Sequence, residues 1–261
     1  IRVIREKSLT ATWIRRGLWQ PGQIESMPLE RELDFTNVIV PDEAFPELNT
    51  AYTFGDKVNG VGPIVQIAPL SSQAKTDIRK KLANRFNHPA KRLLVTMLGG
   101  GVAADRQAQI QTLCALAEGQ PDWLHIVIVW PQGVISPGLT GWKNTKIVRS
   151  QSAIALAQCA DLTVSAVGYN SFHELVYHNV PSIFIPQMAG YMDDQARRAD
   201  AAAERGLARV VQPDDLVILR QEVMRLLGDG EADQLADIMK QYQLPEIGNT
   251  AAAQIVDRGP T

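Results

Sequence analysis

The chain has 261 residues, of which 45% are hydrophobic and 21% are charged, so it can bury a sizeable core in one large domain or two small ones. Its formal net charge of -2 excludes the broad positive surface of a general nucleic-acid-binding protein, and we expect no nucleic-acid partner. The apolar runs are too short to cross a bilayer and the first residues are unlike a signal peptide. We therefore expect a cytoplasmic protein, and peripheral attachment to a membrane stays open. Cys114 and Cys159 lie in apolar helical patterns, which predicts buried free thiols.

The first ninety residues contain many turn signals and few regular elements. Two segments, 37–40 and 58–65, are strand-like, and a helix is predicted over 72–86 with Ser72 as its N-cap. We place a linker near residues 60–71. The chain is thereby divided into residues 1–65, interpreted as the remnant of an N-terminal domain with its linker, and residues 66–261, a ligand-binding domain.

Short apolar strands alternate with helical patterns from residue 92 onward. The predicted strands are 92–98, 124–130, 145–148, 162–165, 182–185 and 207–211. The predicted helices are 103–117, 152–160, 169–178, 194–205 (ended by Gly206), 216–227, 232–242 and 250–257. This alternation predicts an α/β fold with a Rossmann-like, doubly wound parallel sheet of about six strands and helices on both faces. Such sheets bind ligands beyond the carboxyl ends of their strands, so the loops after the strands are the candidate sites.

The loop after the first of these strands is rich in glycine. Gly99, Gly100 and Gly101 follow the strand, and Val102 leads into the next helix. Glycines let the backbone approach a phosphate, and a helix N-terminus offers unpaired N–H groups. The spacing is not G-x-G-x-x-G, and Trp130 stands where a dinucleotide site would place an acidic residue, so an oxidoreductase is disfavoured. A tight turn without a ligand is the ordinary alternative for this loop.

A second strand-end loop carries more chemistry. Gly168, Tyr169, Asn170 and Ser171 open a helix directly after a strand, and Glu174 lies one turn further along. The backbone N–H groups with the Asn170 and Ser171 side chains form a possible anion site, and an ionised carboxylate can accept two hydrogen bonds from a ribose diol. The ordinary alternative for a lone first-turn glutamate is that it only interacts with the helix dipole.

A third strand-end loop leads to Asp194 and Gln195, whose side chains can hydrogen-bond to sugar hydroxyls. The ordinary alternative is an N-cap, in which Asp193 or Asp194 accepts hydrogen bonds from the first helical turn. Two adjacent aspartates are not the Asp-x-Asp arrangement of many metal-dependent sugar transferases. We therefore predict neither a required metal ion nor any other cofactor.

Taken together, these residues resemble the donor-site signature of the GT-B glycosyltransferases. The signature is Gly-aromatic-Asn-Ser/Thr at a helix start, a glutamate, a Gly-Val-Pro turn and then Asp-Gln. The present chain has 168–171, Glu174, Asn179-Val180-Pro181 and Asp194-Gln195 in that order. The similar families are the UDP-sugar-dependent transferases and the lipid-linked N-acetylglucosaminyltransferases of peptidoglycan synthesis. The resemblance extends over residues 93–211 and implies a GT-B donor domain.

The resemblance implies a role for each matched residue. Residues 168–171 would hold the diphosphate, Glu174 would bind the ribose hydroxyls, and Asp194 and Gln195 would contact the transferred sugar. Residues 99–102 would lie in the cleft near the phosphates or the acceptor. The base would lie near 149–151, where Arg149 could stack on it.

The chain departs from the family pattern at three places. Ala166 stands where many UDP-sugar transferases have a histidine, and no tryptophan occurs at 148–151. Asn179 replaces the glycine of the Gly-Val-Pro turn, which is tolerable because asparagine accepts left-handed backbone angles. The first two departures leave the identity of the base and some phosphate contacts open.

The implied activity is transfer of a sugar from a nucleoside diphosphate to the hydroxyl of an unidentified acceptor. UDP is the expected nucleotide. The resemblance implies that the catalytic base lies mainly in the N-terminal domain, most of which we expect this chain to lack. His173 is interpreted as a structural histidine. Two alternatives stay open: a nucleotide-sugar epimerase or hydrolase of the same fold, and a non-catalytic nucleotide-sugar-binding subunit whose partner chain supplies the other half.

Overall fold

The protein contains two parallel β-sheets that are joined by a linker near residue 65. A computed structural model describes residues 2–7, 9–22, 29–49, 58–66, 68–98, 106–133, 135, 137–151, 153–190 and 192–257. The helices are α1 (Arg2–Lys7), α2 (Ser72–Phe86), α3 (Gln107–Glu118), α4 (Ile154–Ala157), α5 (Tyr169–Tyr177), α6 (Gln195–Glu204), α7 (Leu216–Val223), α8 (Glu231–Gln241) and α9 (Asn249–Asp257).

The first sheet, here the small sheet, has three parallel strands in the order β1-β2-β3. They are β1 (Thr12–Ile14), β2 (Asn37–Pro41) and β3 (Val58–Val61). The two strand-like segments of the sequence correspond to β2 and β3. Strand β1 was not predicted, because three residues are too few for a periodic pattern and its strand geometry comes from pairing with β2.

The second sheet, here the large sheet, has six parallel strands in the order β6-β5-β4-β7-β8-β9. They are β4 (Arg92–Met97), β5 (Trp123–Val129), β6 (Thr145–Arg149), β7 (Leu162–Ser165), β8 (Ser182–Phe184) and β9 (Arg209–Val210). Strands β4, β5 and β7 are almost entirely buried, as expected for a parallel sheet with both faces covered. The predicted Rossmann-like, six-stranded α/β fold is confirmed.

The order of the large sheet places its topological switch point between β4 and β7. From β4 the chain proceeds to β5 and β6 on one side, and then crosses to β7, β8 and β9 on the other. Met97 and Ser165 are paired residues at the carboxyl ends of β4 and β7. In folds of this type, ligands bind at such a switch point, beyond the carboxyl ends of the strands.

Helix α2 begins one residue away from the predicted position of its cap. The hydroxyl of Ser71, not that of Ser72, accepts a hydrogen bond from the Ala74 N–H at 3.1 Å. Ser71 has the extended backbone that a capping residue needs, with φ -64 and ψ 156, whereas Ser72 is the first helical residue. The prediction of Ser72 as N-cap is therefore wrong. Two adjacent serines look alike in the sequence, and only the backbone distinguishes them.

Helix α4 is shorter than the helix predicted over 152–160. The N–H groups of Cys159 and Ala160 bond to carbonyls three residues back, at Leu156 and Ala157. These tighter bonds end the helix before β7. Two other turn predictions are confirmed: Asn179 has a φ of 54 after α5, and Gly206 has a φ of 69 after α6.

The end of the chain returns to the small sheet. Helix α9 packs on it through Ala252 and Ile255, which contact a cluster that contains Ile39 and Val61. At the crossing, Gly248 and Gly62 approach so closely that a Cβ on either residue would overlap the backbone of the opposite segment. The predicted boundary at residue 65 lies between the two sheets, but α9 crosses back over it.

Two further predictions concern burial and membranes. Cys114 and Cys159 are free and buried, as predicted. Burial raises the pKa of both thiols. No helix in the described parts of the chain is both long and apolar enough to span a bilayer.

Candidate functional site

Helix α5 begins at the switch point and leaves its first N–H groups available. Gly168 precedes the helix with extended backbone, and its carbonyl accepts the first helical hydrogen bond, from Phe172. Within the described residues, the N–H groups of Tyr169, Asn170 and Ser171 have no acceptor. Three free N–H groups at the positive end of a helix are suited to an anion.

A cavity of about 320 Å³ lies beside this helix start at the carboxyl ends of β4 and β5, and we call it the strand-end cavity. It is lined by Gln66, Met97, Ile128, Val129, Trp130, Ser150, Gln151, Ala153, Asn170, Ser171 and Glu174. Asn170, Ser171 and Glu174 share one face of α5 because they are spaced three and four residues apart. The structure thus brings together three residues that the sequence proposed for one ligand.

Glu174 is the carboxylate of the strand-end cavity. Its side chain is partly buried, and among the described residues it has no hydrogen-bond or ion-pair partner. Burial raises its pKa from the usual value. A partly buried carboxylate without a described protein partner can accept hydrogen bonds from the donors of a ligand.

A second cavity, of about 450 Å³, lies on the other side of the same helix start, between α5 and the small sheet. We call it the cleft cavity. Its lining residues are Ile14, Arg15, Arg16, Pro41, Ile64, Gly168, Tyr169, Asn170 and Ser171. Arg15 is buried and paired with Glu32 at 2.7 Å, whereas the Arg16 side chain is 43% exposed. Arg16 is therefore the cationic group that a ligand in this cavity can reach.

Tyr169 fastens the start of α5 to the small sheet. Its hydroxyl donates to the Asp42 carbonyl at 2.8 Å and accepts from the Ile64 N–H at 3.1 Å. Burial raises the pKa of this phenol, so it remains a neutral hydrogen-bonding group. Tyr169 consequently holds the backbone at the helix start in place and does not offer its hydroxyl to a ligand.

A buried charge cluster, formed by Glu43, Asp193, Arg198 and Arg16, lies beneath this helix start. Arg198 is fully buried and holds Glu43 with two hydrogen bonds, of 2.7 and 2.6 Å, and Asp193 with one of 2.7 Å. Arg16 contacts the other oxygen of Asp193 at 3.1 Å. Burial alone would lower the pKa of Arg198, but its bonds to the two carboxylates raise it, so the guanidinium stays charged.

The cluster also fixes the loops that precede α5 and α6. Arg198 donates to the Val167 carbonyl at 2.7 Å, directly before Gly168. Glu43 comes from the segment after β2, so the same side chains connect the small sheet with the large one. The geometry of the start of α5 is therefore linked to Glu43, a residue of the N-terminal part.

Of the remaining predicted site residues, some are not described by the structure and Arg149 has contacts of its own. Residues Gly99, Gly100, Gly101 and Val102 lie outside the described residues. Arg149 is exposed at the end of β6, and its guanidinium donates to carbonyls of the loop after β5.

The first residues of α6 have structural contacts of their own. Asp194 is the N-cap of α6 and accepts from the Arg197 N–H at 3.1 Å. Gln195 is buried, and its Oε1 accepts from the N–H groups of Val167 and Gln187 at 3.2 and 3.1 Å. It thereby connects the loops that precede α5 and α6.

The lining residues that were not proposed from the sequence include Gln66, Trp130 and Arg16. Trp130 follows a strand, so the strand-end rule could have selected it. Arg16 comes from the small sheet, and no pattern in the sequence shows that β1 ends opposite α5. Among the described residues, no group of three or more His, Cys, Asp or Glu side chains is placed to hold a metal ion.

Comparisons with known proteins support the fold. Residues 144–248 match the family described as the glycosyltransferase family 28 C-terminal domain. No curated protein matches the sequence. The solved structures that are similar to the chain in fold include the three that follow.

The first is the glycotransferase of kitacinnamycin, with a TM-score of 0.62, 16% identity, and coverage of 98% of this chain and 72% of that one. The second is MurG of Acinetobacter baumannii, with a TM-score of 0.56, 14% identity, and coverage of 98% and 70%. The third is WaaG, a glycosyltransferase involved in lipopolysaccharide biosynthesis, with a TM-score of 0.62, 12% identity, and coverage of 97% and 80%. The chain thus has the GT-B glycosyltransferase fold, and the family match over residues 144–248 supports glycosyltransferase activity.

Proposed function

We propose that this chain binds a nucleoside diphosphate sugar, with UDP as the nucleotide, and transfers the sugar to an acceptor hydroxyl. The observation that carries the proposal is Glu174, a partly buried carboxylate without a described partner, in one cavity with Asn170 and Ser171. Two carboxylate oxygens match the two hydroxyls of a ribose. The cavity volume of about 320 Å³ is at the lower end of the range for small-molecule sites.

The start of α5 is our candidate for the diphosphate site. The free N–H groups of residues 169–171 can donate to phosphate oxygens, and the helix dipole favours negative charge there by about 0.3–1 kcal/mol. When the bond between sugar and diphosphate breaks, negative charge grows on the leaving diphosphate. Donors already oriented toward that position stabilise the transition state without reorganisation.

The two cavities suggest how donor and acceptor meet. Both are lined by Asn170 and Ser171, so the helix start lies between them. A nucleotide in the strand-end cavity would direct its diphosphate and sugar toward this point. We assign the cleft cavity to the acceptor, whose hydroxyl would reach the sugar from the side of the small sheet. Arg16 would add positive charge there.

The start of α6 is retained as the candidate for sugar contacts. One oxygen of Asp194 caps the helix, and its other oxygen has no partner among the described residues. We propose that this second oxygen accepts a hydrogen bond from a sugar hydroxyl. Gln195 would act mainly by holding the loops before α5 and α6 together.

Calorimetric titration with UDP tests the donor assignment. Glu174→Ala is expected to weaken UDP binding about tenfold, which corresponds to a loss of ~1.4 kcal/mol, because the ribose hydroxyls lose their acceptor. Glu174→Gln keeps one acceptor oxygen and should lie between Glu174→Ala and the parent. The matched control is Glu204→Ala, which removes an equal charge from an exposed helical glutamate and should leave the affinity unchanged.

The outcomes separate the possibilities. A parent chain that binds none of UDP, GDP and TDP contradicts the proposal, as does an unchanged affinity in Glu174→Ala. Tighter binding of GDP or TDP would correct the nucleotide and keep the donor site. Turnover of a UDP-sugar without any acceptor would favour an epimerase or hydrolase over a transferase.

A further inference from the structure

Trp130 is a large aromatic side chain at the edge of the strand-end cavity. It follows β5 directly, is 50% exposed, and lines the cavity together with Ser150, Gln151 and Glu174. In the described part of the chain, its indole makes no ring contact and no hydrogen bond. Single exposed apolar side chains are common on proteins, but this one borders a polar cavity and has a free ring face.

The loop that carries Trp130 is held in place by hydrogen bonds. The Arg149 guanidinium donates to the carbonyls of Trp130, Pro131 and Gly133 at 3.4, 2.7 and 2.8 Å. The Gly133 N–H donates back to the Trp130 carbonyl at 2.8 Å, which closes a tight turn. The backbone of Trp130 is therefore held in place before any ligand arrives, so binding would have to order only its side chain.

These contacts give Arg149 a structural role. The family resemblance assigned to it the stacking on the base, but one nitrogen of its guanidinium, Nη1, donates to all three carbonyls and holds the group against the backbone of this loop. The ring whose backbone it holds is at the cavity edge. Trp130 and Arg149 come from neighbouring strand ends, since β5 and β6 are paired up to Val129 and Arg149.

We infer that Trp130 is the aromatic surface on which the nucleobase of the donor stacks. The inference rests on the proposed function, because it assigns the base to the end of the cavity beyond the ribose contact at Glu174. Stacking needs a planar, aromatic ligand ring and tolerates different bases. The selection among bases would then fall to groups that meet the edge of the base.

The test compares UDP with 5,6-dihydrouridine diphosphate in calorimetric titrations. Dihydrouracil keeps the carbonyl and N–H groups of uracil, but its ring is neither aromatic nor planar. The parent is expected to prefer UDP about fivefold or more, and Trp130→Ala to weaken UDP binding about tenfold and reduce the preference to about twofold or less. Trp130→Phe keeps an aromatic face and should retain most of the UDP affinity and most of the preference for UDP.

The matched control is Trp142→Ala. Trp142 precedes β6, so it lies near the amino end of that strand, away from the strand-end cavity. Its indole N–H donates to the Gly138 carbonyl at 3.2 Å. It should change neither the UDP affinity nor the preference. The stacking inference is overturned if UDP binding depends on Glu174 but the preference for UDP over the dihydrouridine analogue is equal in the parent and in Trp130→Ala. The donor site would stand in that case. If the parent binds no nucleoside diphosphate, both proposals are overturned.

Discussion

At the scale of single residues, His173 is kept neutral mainly by its burial. Its ring is fully buried, Nε2 accepts from the Ala44 N–H at 3.1 Å, and Nδ1 donates to the Tyr169 carbonyl at 2.7 Å. Burial lowers the pKa of His173 to about 4, against the opposing charge of Glu43 and with a smaller lowering from Arg198. A neutral ring with both nitrogens engaged is a structural histidine, and it has no free site for catalytic proton transfer.

This histidine makes stability depend on pH. The pKa of an unfolded histidine is about 6.5, so between about pH 6.5 and the native value the unfolded chain binds a proton that the native chain excludes. The free energy of unfolding is therefore expected to fall as the pH decreases through this window. Urea denaturation at several pH values from about 7.5 to about 4 measures the slope.

The variant His173→Gln isolates the contribution of this residue. Glutamine cannot titrate, so the variant should be less stable at neutral pH and have a flatter dependence across the same window. His125 is also buried, between Thr96 and Thr145, and has a pKa lowered to about 3, so part of the slope will remain. Equal slopes in the variant and the parent would show that His173 is already protonated in the folded protein.

At the scale of secondary-structure elements, the cap of α2 offers a test with a built-in control. Ser71→Ala removes the hydroxyl that accepts from Ala74, and should lower the free energy of unfolding by about 1 kcal/mol. Ser72→Ala changes the adjacent serine to a better helix former and should stay within about 0.5 kcal/mol of the parent. Thermal unfolding of both variants measures the difference. A larger loss for Ser72→Ala would place the cap at Ser72.

The elements of the large sheet could be predicted because their patterns are local. Strands β4, β5 and β7 are continuous apolar runs, and the turn at Asn179 follows from the backbone preference of asparagine. Strand β1 could not be predicted in this way. Its three residues take strand geometry from pairing with β2, which is a tertiary interaction.

The part of the candidate site that lies on one helix could likewise be predicted from the sequence. Asn170, Ser171 and Glu174 share one helix face, so their spacing alone places them together. Trp130 and Arg16 reach the same helix start from another strand and from the other sheet. Their positions depend on the strand order and on the packing of the two sheets, and a single sequence does not contain that information in any local pattern.

At the scale of the whole molecule, the buried charge cluster couples the two sheets. Arg198 of α6 meets Glu43 of the N-terminal part, and both side chains are almost fully excluded from water. With Asp193 and Arg16, the cluster has two negative and two positive charges. Removing one partner leaves a buried charge uncompensated, whereas removing an oppositely charged pair keeps the balance.

We therefore expect Arg198→Met and Glu43→Leu each to lower the free energy of unfolding by about 3–5 kcal/mol. The double variant retains the balanced pair of Asp193 and Arg16, so its loss should be smaller than the sum of the single losses by about 0.5–3 kcal/mol. Urea denaturation of all four proteins measures this coupling. Simple additivity would mean that the two side chains do not depend on each other, contrary to their hydrogen bonds.

The same variants separate stability from the geometry of the donor site. Arg198 lines neither cavity, but it holds the Val167 carbonyl next to the start of α5, and that bond is absent from the double variant as well as from Arg198→Met. UDP affinity should therefore stay reduced in the double variant even where its stability partly returns. If the UDP affinity recovers together with the free energy of unfolding, the start of α5 does not require the bond from Arg198 to the Val167 carbonyl and requires only that the chain is folded. In that case Glu43 would connect the sheets without shaping the site, and the dependence of the anion site on the N-terminal part would be a matter of stability alone.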